Sequence, residues 1–260
     1  MQEIQSVQNP VVKRLKSLKD RKARLEYDEL LIEGEKLIAE ALELGYAVHD
    51  VLVCDEMTDK FTDLLRRLSQ TKAGVYSVPR RVLEAVCDTK TPQGICAAFR
   101  LPVSMEKEKL PDRLVVLDGV QDPGNVGTIW RTADAAGIQA VVMTDKCADP
   151  FSPKVQRSAM GSGLRIKVHI TDTLPRLLTE LREKGYTVIA SSLHGEPFYD
   201  AKLDMEKFAL IIGNEARGVS EECMNAANLR LKLPMRGGAE SLNASVAAGI
   251  MMYELMKNRD

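Results

Sequence analysis

Between residues 29 and 100, short apolar runs alternate with stretches whose apolar positions recur every three to four residues. LLIEG (30–34) predicts a strand. Residues 35–44 predict a helix with Leu37, Ile38, Ala41, Leu42 and Leu44 on its apolar face. VHDVLVC (48–54) reads as the next strand, 60–68 as a helix and GVYSV (74–78) as a strand. Pro79 then begins a short helix, in the position proline tolerates best, and QGICAAFR (93–100) closes the half as a strand. LPVSMEKEKLPDR carries two prolines and mixed charge without apolar period, which places a linker at 103–112 between domains at 1–102 and 113–260.

The second half opens with RLVVLDGV (113–120), the continuous apolar run of a strand covered on both faces. Strand-like runs recur at AVVMT, RIKVHI, YTVIAS, FALIIG and LRLKLP, mostly with helical segments between them. That alternation predicts an α/β fold with a mainly parallel sheet flanked by helices. Residues 241–257 predict a final helix with Leu242, Val246, Ile250, Met251 and Leu255 as apolar positions.

Composition narrows the function. The apolar runs, such as 114–117 and 209–212, are far too short to span a membrane, and MQEIQSVQNP lacks an apolar leader core. The expected location is therefore cytoplasmic. The five cysteines are odd in number and contain no CxxC pair, so neither a disulfide framework nor a zinc knuckle is expected. The net charge is −1, yet Lys13, Arg14, Lys16, Lys19, Arg21, Lys22 and Arg24 crowd one stretch against Asp20 alone. Such a cluster can neutralise several nucleic-acid phosphates, with Lys13, Arg14, Lys16 and Arg21 as candidates, or it is a solvated helix that keeps the chain soluble.

In a parallel sheet, ligands bind beyond the carboxyl ends of the strands. Three loops there are rich in glycine and polar residues. In DGVQDPGNVGTIWRTADAAG (118–137), Pro123 and Gly124 make a turn, Asn125 can cap the following helix, and Arg131 lies within two helical turns. A guanidinium is permanently charged and grips phosphate by two hydrogen bonds. IIGNEARGVS (211–220) sets Glu215 between Gly213 and Gly218, and LPMRGGAESLNAS (233–245) leads through two glycines to Ser241 and Asn243. No GxGxxG follows a strand, no GxxxxGK[ST] occurs, and no metal-ligand spacing is present. A nicotinamide oxidoreductase is thus unsupported, and no metal is expected. His49, His169 and His194 are dispersed, and Cys223 has no histidine near it in sequence to act as a base. Trp130 reads as packing.

NVGTIWRTADAAG, LIIGNEARGVS and LPMRGGAESLNASVAAGI, in this order and spacing, resemble the motifs of the SpoU (TrmH-like) branch of the SPOUT RNA methyltransferases. The resemblance covers 113–257. LLIEGEKLIAEAL and TPQGICAAF make the first half similar to that family's L30e-like α/β substrate-binding domain. The resemblance implies a trefoil-knotted SPOUT α/β-knot domain, dimerisation through the knot, and S-adenosylmethionine as cofactor. By position, Gly213, Leu233 and Leu242 are expected to touch the cofactor, with Leu193, Ile212, Met235 and Asn243 beside it.

The implied reaction is transfer of a methyl group to a ribose 2′-hydroxyl of structured RNA, with ribosomal RNA favoured. Arg131 is expected to bind the adjacent phosphate and assist deprotonation. Asn125 is expected to orient the loop or ribose, and Glu215 to hold Arg131 or the loop, while Ser241 and Asn243 complete the site. The alternatives are a tRNA or antibiotic-resistance methyltransferase of the same family, or a non-catalytic RNA-binding or ribosome-assembly protein.

Overall fold

The computed structural model describes residues 1–89 and 91–257. The chain divides into two compact units, Met1–Val103 with Phe151–Pro153, and Ser104–Pro150 with Lys154–Asp260.

The amino-terminal unit runs β1 (Gln2–Glu3), α1 (Pro10–Ser17), α2 (Arg21–Tyr27), β2 (Glu29–Glu33), α3 (Glu35–Glu43), β3 (Val48–Cys54), a 3-10 helix (Asp55–Phe61), α4 (Thr62–Leu68), β4 (Gly74–Val78), α5 (Arg80–Val86) and β5 (Ile95–Arg100). Its sheet has the order β1-β4-β3-β5-β2. β4 runs parallel to β1 and β3, whereas β5 runs antiparallel to β3 and β2. Val12, Leu15 and Leu18 pack with Leu52, Val78, Val82 and Val86 into one core cluster. Leu44, expected on the apolar face of α3, is exposed because the helix ends at Glu43 and the chain turns through Gly45.

The basic stretch folds as two helices. Asn9 Oδ1 accepts from the Val11 N–H at the start of α1, where Pro10 sits in the first turn, and extended Asp20 precedes α2. Three of its seven cations are held inside the unit. Arg14 pairs with Glu29 and Asp50, and His49 Nδ1 lies 2.7 Å from the same Glu29. Lys19 Nζ donates to the Cys87 carbonyl at 2.9 Å. Buried Arg24 donates to the carbonyls of Leu18 and Lys19 at 2.7 and 2.8 Å. Lys13, Lys16, Arg21 and Lys22 remain exposed. Arg14, expected to meet RNA, is thus turned towards two carboxylates of its own unit.

The second unit contains β6 (Arg113–Asp118), α6 (Pro123–Ala135), β7 (Ala140–Thr144), α7 (Pro153–Ala159), α8 (Ser162–Arg165), β8 (Lys167–Thr171), α9 (Leu174–Glu183), β9 (Thr187–Pro197), β10 (Phe208–Gly213), α10 (Glu221–Ala226), β11 (Leu229–Lys232) and α11 (Ala244–Met256). All six strands run parallel in the order β11-β9-β10-β6-β7-β8. One face buries Leu114, Val116, Ala209 and Ile211 against Leu174, Leu177, Leu178 and Leu181 of α9 and Cys223 and Ala226 of α10. α6 packs against β7 and α11 against β10, and the two helices pack together. Trp130 is wholly buried and donates its Nε1–H to the Ile166 carbonyl at 3.1 Å, as packing predicts.

Two expected boundaries move for identifiable reasons. Residues 241–243 lie outside α11, because Asn243 Oδ1 accepts from the N–H groups of Ser245 and Val246 and so caps the helix one residue before Ala244. The proline- and charge-rich stretch after residue 103 has order of its own. The Met105 N–H donates to the Val168 carbonyl at 2.8 Å, and Lys107–Lys109 forms a 3-10 turn. Among the described residues, no helix is long and apolar enough to cross a membrane, and no group of three His, Cys, Asp or Glu side chains could hold a metal ion.

Arg14→Met would leave the Glu29 and Asp50 carboxylates close together without their shared cation. We expect a loss of about 3 kcal/mol, read as a lower denaturant midpoint at unchanged slope. A midpoint equal to the parent's would show that the pair contributes nothing to stability.

Candidate functional site

β6 and β10 are neighbours, with Gly213 in register with Asp118, so the loops that follow them leave the sheet side by side. This is the switch point of the sheet, because the chain continues from β6 to one side and reaches β10 from the other. Short polar contacts lock the two exits together. Asp118 Oδ2 accepts from the Ser220 N–H at 2.8 Å, and Asn214 Nδ2 donates to the Gly119 carbonyl at 2.9 Å. Asn214 and Gly218 exchange backbone hydrogen bonds of 2.9 and 2.8 Å across a tight loop. Gly218 has a φ of +71°, and a Cβ on Gly213 would run into the Gly218–Val219 backbone, so the loop requires both glycines.

Glu215 sits at the tip of that loop. Its Oε1 accepts from Asn125 Nδ2 at 3.0 Å and from the Asp122 N–H at 3.2 Å, and its Oε2 accepts from the Gln121 N–H at 3.2 Å. Partial burial alone would raise its carboxyl pKa, but the bonds from Asn125 and the backbone N–H groups of Asp122 and Gln121 hold it below the usual carboxylate range. Asn125 does not cap α6. Asp122 does, with Oδ1 accepting from the Asn125 N–H at 2.8 Å and Pro123 in the first turn. Asn125 is instead buried, and its Oδ1 accepts from Asn243 Nδ2 at 3.0 Å. Glu215, Asn125 and Asn243 therefore form one chain of hydrogen bonds across the three glycine-rich loops.

Arg131 lies outside that chain. It is exposed on α6, and its Nη1 donates to Met160 Sδ at 3.0 Å. Of the two roles expected for Glu215, holding the loop and holding Arg131, the geometry shows the first. Gly127, one turn before Arg131, lets α6 approach α7, since a Cβ there would lie 2.6 Å from the Val155 carbonyl oxygen.

Beside the hydrogen-bond chain, the segment after β11 borders an open cleft of about 200 Å³. Leu233, Met235 and Leu242 line it as expected neighbours of a cofactor would, together with Tyr199, Arg236 and Ile250. Nothing in the sequence distinguishes Tyr199 or Arg236, and Ile250 has only the helical period of a core position. Ile212 and Gly213 are buried at the end of β10, whereas Leu193 and Ser241 are exposed, and none of these four lines the cleft. The volume falls short of the roughly 300–1,000 Å³ of ordinary small-ligand sites, as suits a shallow cleft that covers only part of a ligand. Its mostly apolar wall, with one cation and backbone kept accessible by Gly237, fits an adenosine bearing a polar tail. Cys223 is no nucleophile. Burial, with the Asp118 carboxylate beside it, pushes its thiol up to about 12, so a reactive thiolate is absent at neutral pH.

Comparison with known proteins identifies the family. Residues 112–253 match the SpoU rRNA Methylase family, and residues 9–97 match the MRM3-like substrate binding domain. The chain is 41% identical over 255 residues to the 23S rRNA (guanosine(2553)-2′-O)-methyltransferase RlmP of Bacillus subtilis, covering 98% of this chain and 99% of that protein. It superposes on the AdoMet-bound rRNA methyltransferase from Sinorhizobium meliloti with a TM-score of 0.89 at 30% identity, covering 99% of this chain and 98% of the other. For the SpoU methyltransferase AviRb from Streptomyces viridochromogenes in complex with AdoMet, the TM-score is 0.86 at 25% identity, covering 97% and 98%. The chain belongs to the SpoU rRNA methylase family.

Proposed function

We propose that the three clasped loops form the centre at which this S-adenosylmethionine-dependent ribose 2′-O-methyltransferase acts on 23S ribosomal RNA. The observation that carries the reading is the Glu215–Asn125–Asn243 chain, which joins the three family motifs beside a cleft lined by Leu233, Met235 and Leu242. The choice of 23S RNA rests on the likeness to RlmP, which runs through both units.

A ribose hydroxyl is a poor nucleophile and must lose its proton as it attacks in line. Bound in the cleft, S-adenosylmethionine supplies a sulfonium methyl, so the protein's task is placement. Arg131, exposed and held by a neutral thioether, is the group to anchor the neighbouring phosphate. Asn125 and Asn243 fix the loops that flank the reacting atoms, Gly213 keeps the β10 exit narrow, and Ser241 stands ready on the exposed segment before α11. On the amino-terminal unit, Lys13, Lys16 and Arg21 are exposed cations available to RNA phosphates, and Arg14 leaves that set because its guanidinium is already paired.

A second copy of the chain is the partner we assign to α11. Apart from Ser245 and Glu254 that helix is apolar around its circumference, burying Ala248, Met251, Met252 and Leu255 while exposing Val246, Ile250 and Tyr253 at successive turns. A helix apolar all round needs cover on every face. A trefoil knot, a rare exception to the unthreaded topology of most folds, is supported by the route from edge strand β11 to a helix packed on α6 and β10. An rRNA substrate is in keeping with a cytoplasmic location.

Four outcomes test these readings. Mapping of 2′-O-methyl positions in 23S RNA from cells with and without the gene should reveal one missing site, and unchanged maps would refute the substrate. Arg131→Ala should abolish transfer while leaving S-adenosylhomocysteine binding intact by calorimetry; retained activity would remove Arg131 from the reaction. Tyr253→Glu should convert a dimer to a monomer in sedimentation analysis, and a parent chain that is itself monomeric would end the dimer assignment.

The last test concerns Glu215, whose carboxyl is depressed in the folded state. Its contribution to stability is complete above the unfolded value of about 4.3 and is lost as pH falls through the lower folded value. Thermal midpoints followed downward from pH 5 should therefore fall less steeply in Glu215→Gln than in the parent. Parallel curves would show that the clasp does not depend on the charge.

A further inference from the structure

Asp134 lies three residues after Arg131 on α6. That spacing makes two side chains neighbours on a helix surface, where an arginine and an aspartate attract each other. Each has another partner here. Asp134 Oδ2 accepts from Arg165 Nε at 2.6 Å and from Ser162 Oγ at 2.8 Å, and Arg165 Nη2 donates to the same Ser162 Oγ at 3.2 Å. Ser162 is wholly buried at the start of α8, so the contact is anchored in the core.

The Arg131 guanidinium meets the Met160 thioether, an acceptor that carries no charge. Met160 and Gly161 both have positive φ, +48° and +88°, and form the turn that joins α7 to α8. For methionine the left-handed region is strained, and such strain persists only where surrounding structure imposes it. One corner of the fold thus supplies a neutral acceptor to Arg131 and a cation to the carboxylate that would otherwise claim it.

We propose that Arg165 is a positioning residue for methyl transfer: it holds Asp134, so that the Arg131 charge stays unpaired until an RNA phosphate arrives. The proposal rests on Arg131 being the phosphate-binding group. A guanidinium already joined to a carboxylate on its own helix would have to release it first, and that competitor is always present whatever the RNA concentration.

A double-mutant cycle on the full chain tests this, with protein-free 23S RNA from cells lacking the gene as substrate. Arg165→Gln should raise KM for RNA by roughly two- to five-fold, the upper part of the range of an exposed ion pair, with S-adenosylhomocysteine affinity unchanged. Asp134→Asn alone should leave that KM within about two-fold of the parent, as should Arg165→Gln combined with Asp134→Asn. Both single changes break the same tie and should lower the thermal midpoint alike. A merely structural role would therefore leave all three variants equally impaired in RNA binding, which overturns the proposal. So does an additive cycle, the result expected if Arg165 touches RNA directly, because neutralising Asp134 cannot replace that contact. Activity retained in Arg131→Ala overturns this proposal together with the reading beneath it. A failed rescue alongside an inactive Arg131→Ala overturns this proposal alone.

Discussion

Asn125 accepts from Asn243, 118 residues further along the chain, and donates to Glu215, 90 residues further along. Neither bond is strong by itself, since a neutral hydrogen bond in a protein contributes about 1 kcal/mol net. Their importance lies in what they connect. The three loops leave different strands, and without a common partner each would keep its own range of conformations. A largely exposed carboxylate that accepts two backbone N–H groups and one amide fixes the loop after β6 to the loop after β10. Asn125 then passes the constraint to the cap of α11.

The sheet makes this clasp possible. Parallel pairing of β6 with β10 brings Asp118 and Gly213 to the same level, so their loops begin side by side. Glycine does the rest at two positions. Gly213 has no room for a side chain against the returning Gly218–Val219 backbone, and Gly127 sets α6 tightly on α7. Charge is distributed with equal economy. In the amino-terminal unit, Arg14, Lys19 and Arg24 are consumed by structure, leaving the lysines on α1 and the first residues of α2 for solvent or RNA.

Much of this was legible in the sequence, and the gaps have physical causes. The parallel sheet follows from unbroken apolar runs such as RLVVLD and FALIIG, which only a strand covered on both faces tolerates. The three motif loops, and the membership of Asn125, Glu215 and Asn243 in one site, were readable from glycine and polar content after strands together with the family resemblance. What each side chain touches was not. Asn125 and Asp122 are equally good caps by type, and only the position of Pro123 in the first turn gives the role to Asp122 and frees Asn125 for the clasp. Arg14 reads as one of seven similar cations, because its partners Glu29 and Asp50 are distant in sequence. Tyr199 reaches the cleft from a segment with no periodic signal, and Val246 and Ile250 have the spacing of core residues although both are exposed.

The order in which the site's pieces are synthesised follows from the same clasp. Of the three linked side chains, Asn125 leaves the ribosome first and Asn243 last. Until that final asparagine has emerged, a nascent chain can pair β6 with β10 yet has no cap for α11 and no third loop in the clasp. Folding dominated by such distant contacts is slow, because loop closure must be paid before the contacts that reward it. The clasp that joins the three loops is therefore completed late, when its last member joins the Asn125–Glu215 pair made before it.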